Sequence, residues 1–439
     1  MSPKILVAGA GHGGLAAAYL LSKNGYDVTV YEKNAVSKVG YPWSDSINPS
    51  ILEEIGMPPI SKRACENTMG ITYTNPNETV KIRMPDKKKS NTNYLVDRKK
   101  LLRHMIKSCR EAGVKFEFGV SAVSAFIEND RVSGLVLKKN GKYFVSAGDL
   151  VIDSAGADSP IRTNLPESFD IEGKFHGTDI FSVYRGLYEK LIGGEPENKY
   201  TVYFFHTRER GLDWVISEKK CMDVLIGRFR EALSQEQIEK SFEDFRNIYP
   251  TLSDNLISGG TIQTIPVRRT IGKMIGNNIA IIGDSAAMAI PMLGSGVNNT
   301  LRAGKMLADA VMAVPDLKYC EETLWPYQYN YMKNIGNNML VLDKVKNLCM
   351  TFSPDDIDYL LEHEILNEEM FSIGSDGVKN ISPAYVIRKV LQVVPKLPMF
   401  NESMGTLFSI TSMRRITGKM PETYDKEKVE IWRKAYREA

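Results

Sequence analysis

The sequence predicts an α/β fold in three parts: a parallel-sheet domain built from separated stretches of chain, an inserted antiparallel-sheet domain, and a C-terminal helical cap. Three observations predict it. A strand–turn–helix–strand unit with spaced glycines opens the chain, a second strand–turn–helix unit lies near residues 277–313, and stretches of alternating polar and apolar residues run between them. The length of 439 residues exceeds one ordinary core and suggests two or three packed units.

The opening unit is "KILVAGAGHGGLAAAYLLSKNGYDVTVYEK". Ile5 to Val7 form an apolar strand. Gly9 allows a sharp turn, Gly11 lets backbone approach a pyrophosphate, and Gly14 lets the helix pack closely on the strand, with Gly13 beside it. "LAAAYLLSK" is a strong helix former that Gly25 ends, and its first turn offers unpaired N–H groups and a positive dipole end to phosphates. Val28, Val30 and Tyr31 make the second strand. Glu32 closes it, with Lys33 alongside, where a ribose hydroxyl needs an acceptor. This is a Rossmann-like dinucleotide site, and an acid at position 32 favours an unphosphorylated ribose, which fits FAD and NAD equally. His12, inside the turn, reads as a tolerated surface residue.

The far stretch "NNIAIIGDSAAMAIPMLGSGVNNTLRAGKMLADAVMA" (277–313) decides for FAD. Ile279 to Ile282 read as a buried strand followed by Gly283 and Asp284, whose carboxylate suits a ribityl or ribose hydroxyl. Gly294 and Gly296 let backbone approach a flat ring. A helix starting near Val297 and Asn298 aims its positive end at the flavin N1–C2=O edge, where negative charge collects on reduction. NAD dehydrogenases have no need of this second element. The parallel-sheet, FAD-binding domain is therefore discontinuous, spanning 1–75, 95–165 and 265–325. Within it, 101–112 reads as a helix, and Lys115 to Ala125 and Val132 to Lys139 as strands around the "END" turn.

Residues 76–94 and 166–264 are assigned to the inserted substrate domain. Its alternating stretches "KYTVYFFH", "DWVIS" and "MDVLIGRF" predict an antiparallel sheet, and "SQEQIEKSFEDFRNIYP" a helix with Ser234 as N-cap and Gln237 closing a capping box. Residues 326–439 read as a helical cap broken by Pro383, Pro395 and Pro398. Within it, the apolar, Met-rich stretch 385–421, flanked by Arg388, Lys389, Arg414 and Arg415, reads as packing over a substrate cavity or as a peripheral membrane contact. The aromatic cluster "LWPYQYNYMKN" (324–334) reads as packing at a helix start.

Composition narrows the function classes. A hydrophobic share of 43% and a charged share of 25% fit a soluble globular protein, and a formal charge of +3 is too mild to argue for nucleic acid. The run Lys87 to Lys89 reads as a solvated loop. Five scattered cysteines without a C-x-x-C pair fit a reducing cytoplasm, and neither they nor the five histidines suggest a metal site. No apolar run approaches the roughly 18 residues that span a bilayer, so the protein is expected to be cytoplasmic, with peripheral membrane contact as its one membrane option.

These motifs, with "YLVDRKKLLRHMIKSCREAGVKF" (94–116), "LVIDSAGADSPIR" (150–162), "GLDWVISEKKCMDVLIGRFRE" (211–231) and "IPVRRT" (265–270), resemble flavoproteins of the p-hydroxybenzoate-hydroxylase-like fold, and within them the geranylgeranyl reductase family. The resemblance covers roughly residues 1–325. It implies that Arg98 of the "DR" pair lies against the FAD and that Trp214 faces a prenyl cavity. It also implies saturation of carbon–carbon double bonds in a hydrophobic substrate by hydride transfer from flavin N5, with NAD(P)H or a ferredoxin-like protein as electron donor. Family members often carry a cysteine beside the flavin. The corresponding stretch "VGYPWSDSINPSILEEIGM" (39–57) has none, which leaves Tyr41, Trp43, Ser44 and Asp45 to line that spot, Trp43 as a substrate contact and Tyr41 or Asp45 as proton donor. The alternative is flavin-dependent monooxygenation of a hydrophobic or aromatic substrate. Hydroxylases of this fold usually carry Asp-Gly where this chain has Ala155 and Gly156. A flavin-free prenyl carrier of the same fold would have lost the turn glycines and the Gly-Asp element, both intact here.

Overall fold

A computed structural model describes residues 2–48, 50–67, 70–84, 94–230, 232–291, 293–314, 316–368, 388–389 and 391–438. Residues 85–93, including the lysine run 87–89, Pro383, and residues 385–387 and 390 of the Met-rich stretch lie outside the described residues.

A six-stranded sheet forms the first layer, in the order Ile275–Gly276, Ile279–Ile281, Leu150–Asp153, Lys4–Ala8, Asp27–Glu32, Lys115–Phe118. All its pairings are parallel except that of the two short strands at one edge. Lys4–Ala8 and Leu150–Asp153 are near-continuous apolar runs because the sheet is covered on both faces. The helices His12–Lys23 and Val297–Met312 pack side by side on it: a Cβ on Gly13 would lie 2.6 Å from Thr300 Cγ2, and one on Gly304 would lie 2.6 Å from Ala16 Cβ. The helix expected over 101–112 spans Arg98–Glu111, because Asp97 caps it by accepting from Lys100 N at 2.8 Å.

The run expected as one strand from Lys115 to Ala125 is two. Gly119 sits at φ +71 and turns the chain, so Lys115–Phe118 joins the parallel sheet. Ser121–Glu128 pairs instead with Arg131–Lys139 and Lys142–Ala147 in a three-stranded antiparallel sheet. Left-handed pairs at Asn129–Asp130 and Asn140–Gly141 close its two hairpins.

The second large sheet, expected to be antiparallel, has seven strands in the order Leu252–Pro266, Ile180–Lys190, Cys221–Phe229, Leu212–Ser217, Tyr200–Phe204, Ile71–Thr74, Lys81–Met84, and it is mixed because Tyr200–Phe204 pairs parallel with Ile71–Thr74. One face packs on the helix Gln235–Ile248, which carries the predicted Ser234–Gln237 capping box. The other carries Phe181, Val183 and Leu225 against Met350, Leu360 and Met399 of the C-terminal helices. The aromatic cluster after Leu324 is core packing, with Trp325, Tyr327 and Tyr331 buried. The last helix, Lys426–Glu438, returns to the parallel-sheet part: Trp432 meets Trp325 at 6.4 Å, and Tyr436 donates to Thr270 O at 2.8 Å.

Candidate cofactor and active site

The glycine turn is shaped by what lies beneath it. Gly9 has φ +89, and a Cβ there would sit 2.5 Å from Ser154 O; a Cβ on Gly14 would lie 2.7 Å from Ser154 Cβ. Only glycine permits this seating on the end of Leu150–Asp153. Gly11 and Gly296, which precede the two packed helices, have no side chain to cap their first turns. Two positive helix ends therefore open side by side. Around them three buried side-chain atoms lack any partner: His12 Nε2, Asn298 Oδ1 and Asn299 Nδ2. Unspent polar atoms and paired helix ends fit a ligand with a diphosphate and an electron-accepting edge, as FAD has.

Glu32 is fixed at its strand end by two backbone donors, Ala10 N at 2.9 Å and Asn34 N at 2.8 Å, with Lys33 exposed beside it. Across the sheet, Gly283 takes φ +73 and starts the turn that presents Asp284 to open space. Desolvation by the surrounding protein raises the Asp284 carboxyl above the usual range, Arg98 opposes that shift, and Asp45 adds to it. Gly294 is left-handed (φ +65), and a Cβ on Gly296 would lie 3.0 Å from Ala289 Cα, which sets the loop ahead of Val297 and Asn298. A cleft between this loop and the seven-stranded sheet is lined by Phe181, Leu212, Phe229, Val267, Pro291 and Leu293 with Gly294.

The loop expected to stand in for the family cysteine pairs as a strand, Ser44–Ile47, with Tyr94–Asp97. That pairing brings Asp45 to Arg98: Nε and Nη2 donate to the two carboxylate oxygens at 2.5 and 2.6 Å. Burial works against the charge on Asp45, yet the Arg98 guanidinium holds its carboxyl below the usual range. Tyr41 and Trp43 stack at 4.4 Å, and Arg98 lies 5.4 and 5.5 Å from their ring centres. Burial and the nearby Asp284 push the Tyr41 phenol up, with Arg98 opposing.

Trp43 and Trp214 come together through a residue the sequence reading missed. Arg185 lies 5.3 Å from each indole, and its Nε and Nη2 donate to Asp223 at 2.9 and 2.5 Å. Its Nη2 also donates to Ser44 O at 3.2 Å, tying the sheet to the flavin-side loop. Ser285 was missed as well: its hydroxyl accepts from Gly156 N at 3.0 Å and donates towards Asp153 at 3.1 Å, joining the two strand ends. His12 corrects an expectation. It is half-buried with Nε2 shut off from solvent; burial and then Arg98 push its imidazole down to about 4, so it is neutral at physiological pH. Only the inward phase of strand Ile180–Lys190 signalled Arg185, and nothing local signalled His12.

A parallel sheet with two uncapped helix ends meeting over glycines, joined to a mixed, mostly antiparallel sheet, defines a flavin-dinucleotide oxidoreductase fold. The chain belongs to the FAD-binding domain family, whose profile matches residues 3–316. It is 21% identical to the digeranylgeranylglycerophospholipid reductase of Sulfolobus acidocaldarius over 96% of this chain and 92% of that one. It is 23% identical to digeranylgeranylglycerophospholipid reductase 2 of Methanosphaera stadtmanae over 92% of this chain and 99% of that one. Among solved structures, a geranylgeranyl bacteriochlorophyll reductase-like protein of Thermoplasma acidophilum superposes with a TM-score of 0.71 at 19% identity, covering 92% of this chain and 99% of that one. The cofactor is FAD, and the resemblance to geranylgeranyl reductases read from the sequence holds. No helix among the described residues is long and apolar enough to cross a membrane.

Proposed function

We propose that the protein is an FAD-dependent reductase that saturates carbon–carbon double bonds of a prenyl or other hydrophobic substrate. The observation that carries this reading is the stack Tyr41–Trp43–Arg185–Trp214, in which the guanidinium bridges the two indoles, running from the cofactor cleft to the apolar layer between the seven-stranded sheet and the C-terminal helices. Relatives named as prenyl-lipid reductases along nearly the whole chain support it.

In this reading Gly9, Gly11, Gly13 and Gly14 seat the diphosphate, and Glu32 and Lys33 meet the ribose. Gly283, Asp284, Gly294, Gly296, Val297 and Asn298 hold the flavin end, with Arg98 against it. When bound, FAD supplies the hydride. The chain supplies orientation, dryness and the proton. An isolated alkene has no carbonyl to polarise, so holding it in an apolar layer away from water does much of the work. Of the two proton-donor candidates, Tyr41 is the better. Its phenol stays protonated and the residue is 39% exposed, whereas Asp45 is held as a carboxylate by Arg98 and serves to fix that guanidinium. Trp43 and Trp214 flank the substrate.

The electron donor in this reading is NAD(P)H or a ferredoxin-like protein. The working place is the cytoplasmic face of a membrane, touched through the helix Leu397–Thr417, where Phe408, Arg414 and Arg415 are exposed, and through exposed Leu391 and Val394. Lys389 takes no part, because it is buried with Nζ donating to Glu364 O at 2.8 Å.

The test is anaerobic reduction with dithionite followed by prenyl lipid. Reoxidation by the lipid, with a mass gain of about two per double bond as hydrogen adds pairwise, is the expected result. Reoxidation by oxygen alone with a hydroxylated product overturns it in favour of monooxygenation, which Ala155 before Gly156 fits less well.

A further inference from the structure

The inner face of strand Ile180–Lys190 is apolar at Phe181 and Val183, and then presents Arg185. A lone charge on such a wall is costly to desolvate, and a chain that keeps one there compensates it. Asp223, almost fully buried, does so through two charge-assisted bonds. Those bonds, with Ser44 O, use Nε and Nη2. Nη1 makes no hydrogen bond among the described residues and is not among the side-chain atoms shut off from solvent. The indoles of Trp43 and Trp214 flank the guanidinium at 5.3 Å each. The result is a fixed donor at the junction of the flavin-side loop and the apolar layer.

We propose that Arg185 orients the substrate by donating from Nη1 to a neutral oxygen, as in an alcohol, ether or ester, at the polar end of the prenyl lipid. This rests on the reductase reading. The oxygen is neutral because the charge is already balanced: Asp223 pairs with Arg185, Asp45 pairs with Arg98, and Asp284 stands nearby as a third carboxyl. A phosphate would meet no net positive charge there.

The experiment measures KM and kcat of the FAD-loaded enzyme on three twenty-carbon prenyl chains ending in a hydroxyl, a phosphate or a methyl group. The wild type is expected to take the alcohol with the lowest KM. Arg185→Met is expected to raise KM for the alcohol about tenfold more than it raises KM for the methyl-terminated chain, the scale of one hydrogen bond to a charged group. Arg185→Lys, which keeps a donor, recovers part of the preference. If Arg185→Met loses FAD, Arg185→Lys decides: an alcohol preference lowered but present supports the proposal, and one fully lost or unaltered overturns it. Equal damage to alcohol and hydrocarbon marks a merely structural residue and overturns it, as does a wild-type preference for the phosphate. A wild type that holds reduced flavin yet reduces none of the three removes the reductase reading itself.

Discussion

Tyr41 and Asp45 sit four residues apart and face the same guanidinium, yet their chemistry diverges. Arg98 favours the ionised form of each, but only Asp45 is bonded to it directly, so one group is a fixed base partner and the other remains an acid. Tyr41→Phe is therefore expected to cut turnover by about 10²-fold or more, the usual scale for a general acid, with FAD absorbance unchanged. Asp45→Asn is expected to act instead through Arg98, loosening FAD and raising its dissociation constant. Asp284→Ala is likewise expected to weaken flavin retention, read as FAD lost on gel filtration. The conformations of Gly9, Gly14 and Gly283 were legible in the sequence because backbone geometry demands glycine there. Arg185 and His12 were not, because their surroundings come from other elements: Asp223 and Trp214 on neighbouring strands and Trp43 from the flanking loop around Arg185, and Arg98 and Asp45 around His12.

At the scale of elements, the proposed cofactor site is two helix starts and the strand ends that carry them. Both units were readable as strand–glycine–helix, because a buried parallel strand must be apolar and its turn must be small. The seven-stranded sheet was legible in three of its strands. The long edge strand Leu252–Pro266 was not, since its outer residues are exposed and Gly259, at φ +84, shifts the register against Ile180–Lys190 and breaks the alternation. Behind this sheet, His206 bridges Asp213 at 2.7 Å and Asp244 at 2.8 Å, tying the strand Leu212–Ser217 to the helix Gln235–Ile248. Burial opposes its charge, but the two carboxylates push it up to about 9. A raised folded value means this clamp contributes fully below the ordinary value of 6.5 and is lost as pH rises through about 9. The urea midpoint is expected to fall across that window, and the fall is expected to shrink in His206→Asn.

Across the whole molecule, the C-terminal chain leaves the parallel-sheet part, covers the inner face of the seven-stranded sheet, and comes back. Pro354–Glu362 packs on that face, and on the helix before it Lys346 is a buried amine donating to Thr178 O and Asp343 at 2.8 Å each. Lys426–Glu438 then locks the return: Trp432 is 2% exposed, Tyr436 donates to Thr270 O, and Arg437 pairs with Asp170 at 2.7 Å. Sequence patterning showed a helical region here but not its route, because an amphipathic helix states that it has a buried face without naming the partner. The route has a consequence. Thr270 lies at the end of "IPVRRT", and Ile271 N donates to Ala286 O at 3.2 Å, in the turn that holds Asp284. The last helix thus braces the flavin end of the site from behind. Trp432→Ala removes a buried indole and is expected to cost about 3–5 kcal/mol. Because the loss falls on the brace, FAD release on heating is expected to move to lower temperature together with unfolding of the parallel-sheet part. Trp214→Ala, at a half-buried position on the seven-stranded sheet, is expected to leave the FAD-release temperature nearly where it was. Paired scans of flavin fluorescence and far-ultraviolet circular dichroism on the two variants separate these outcomes, and equal shifts in both would show that the brace does not act on the flavin end.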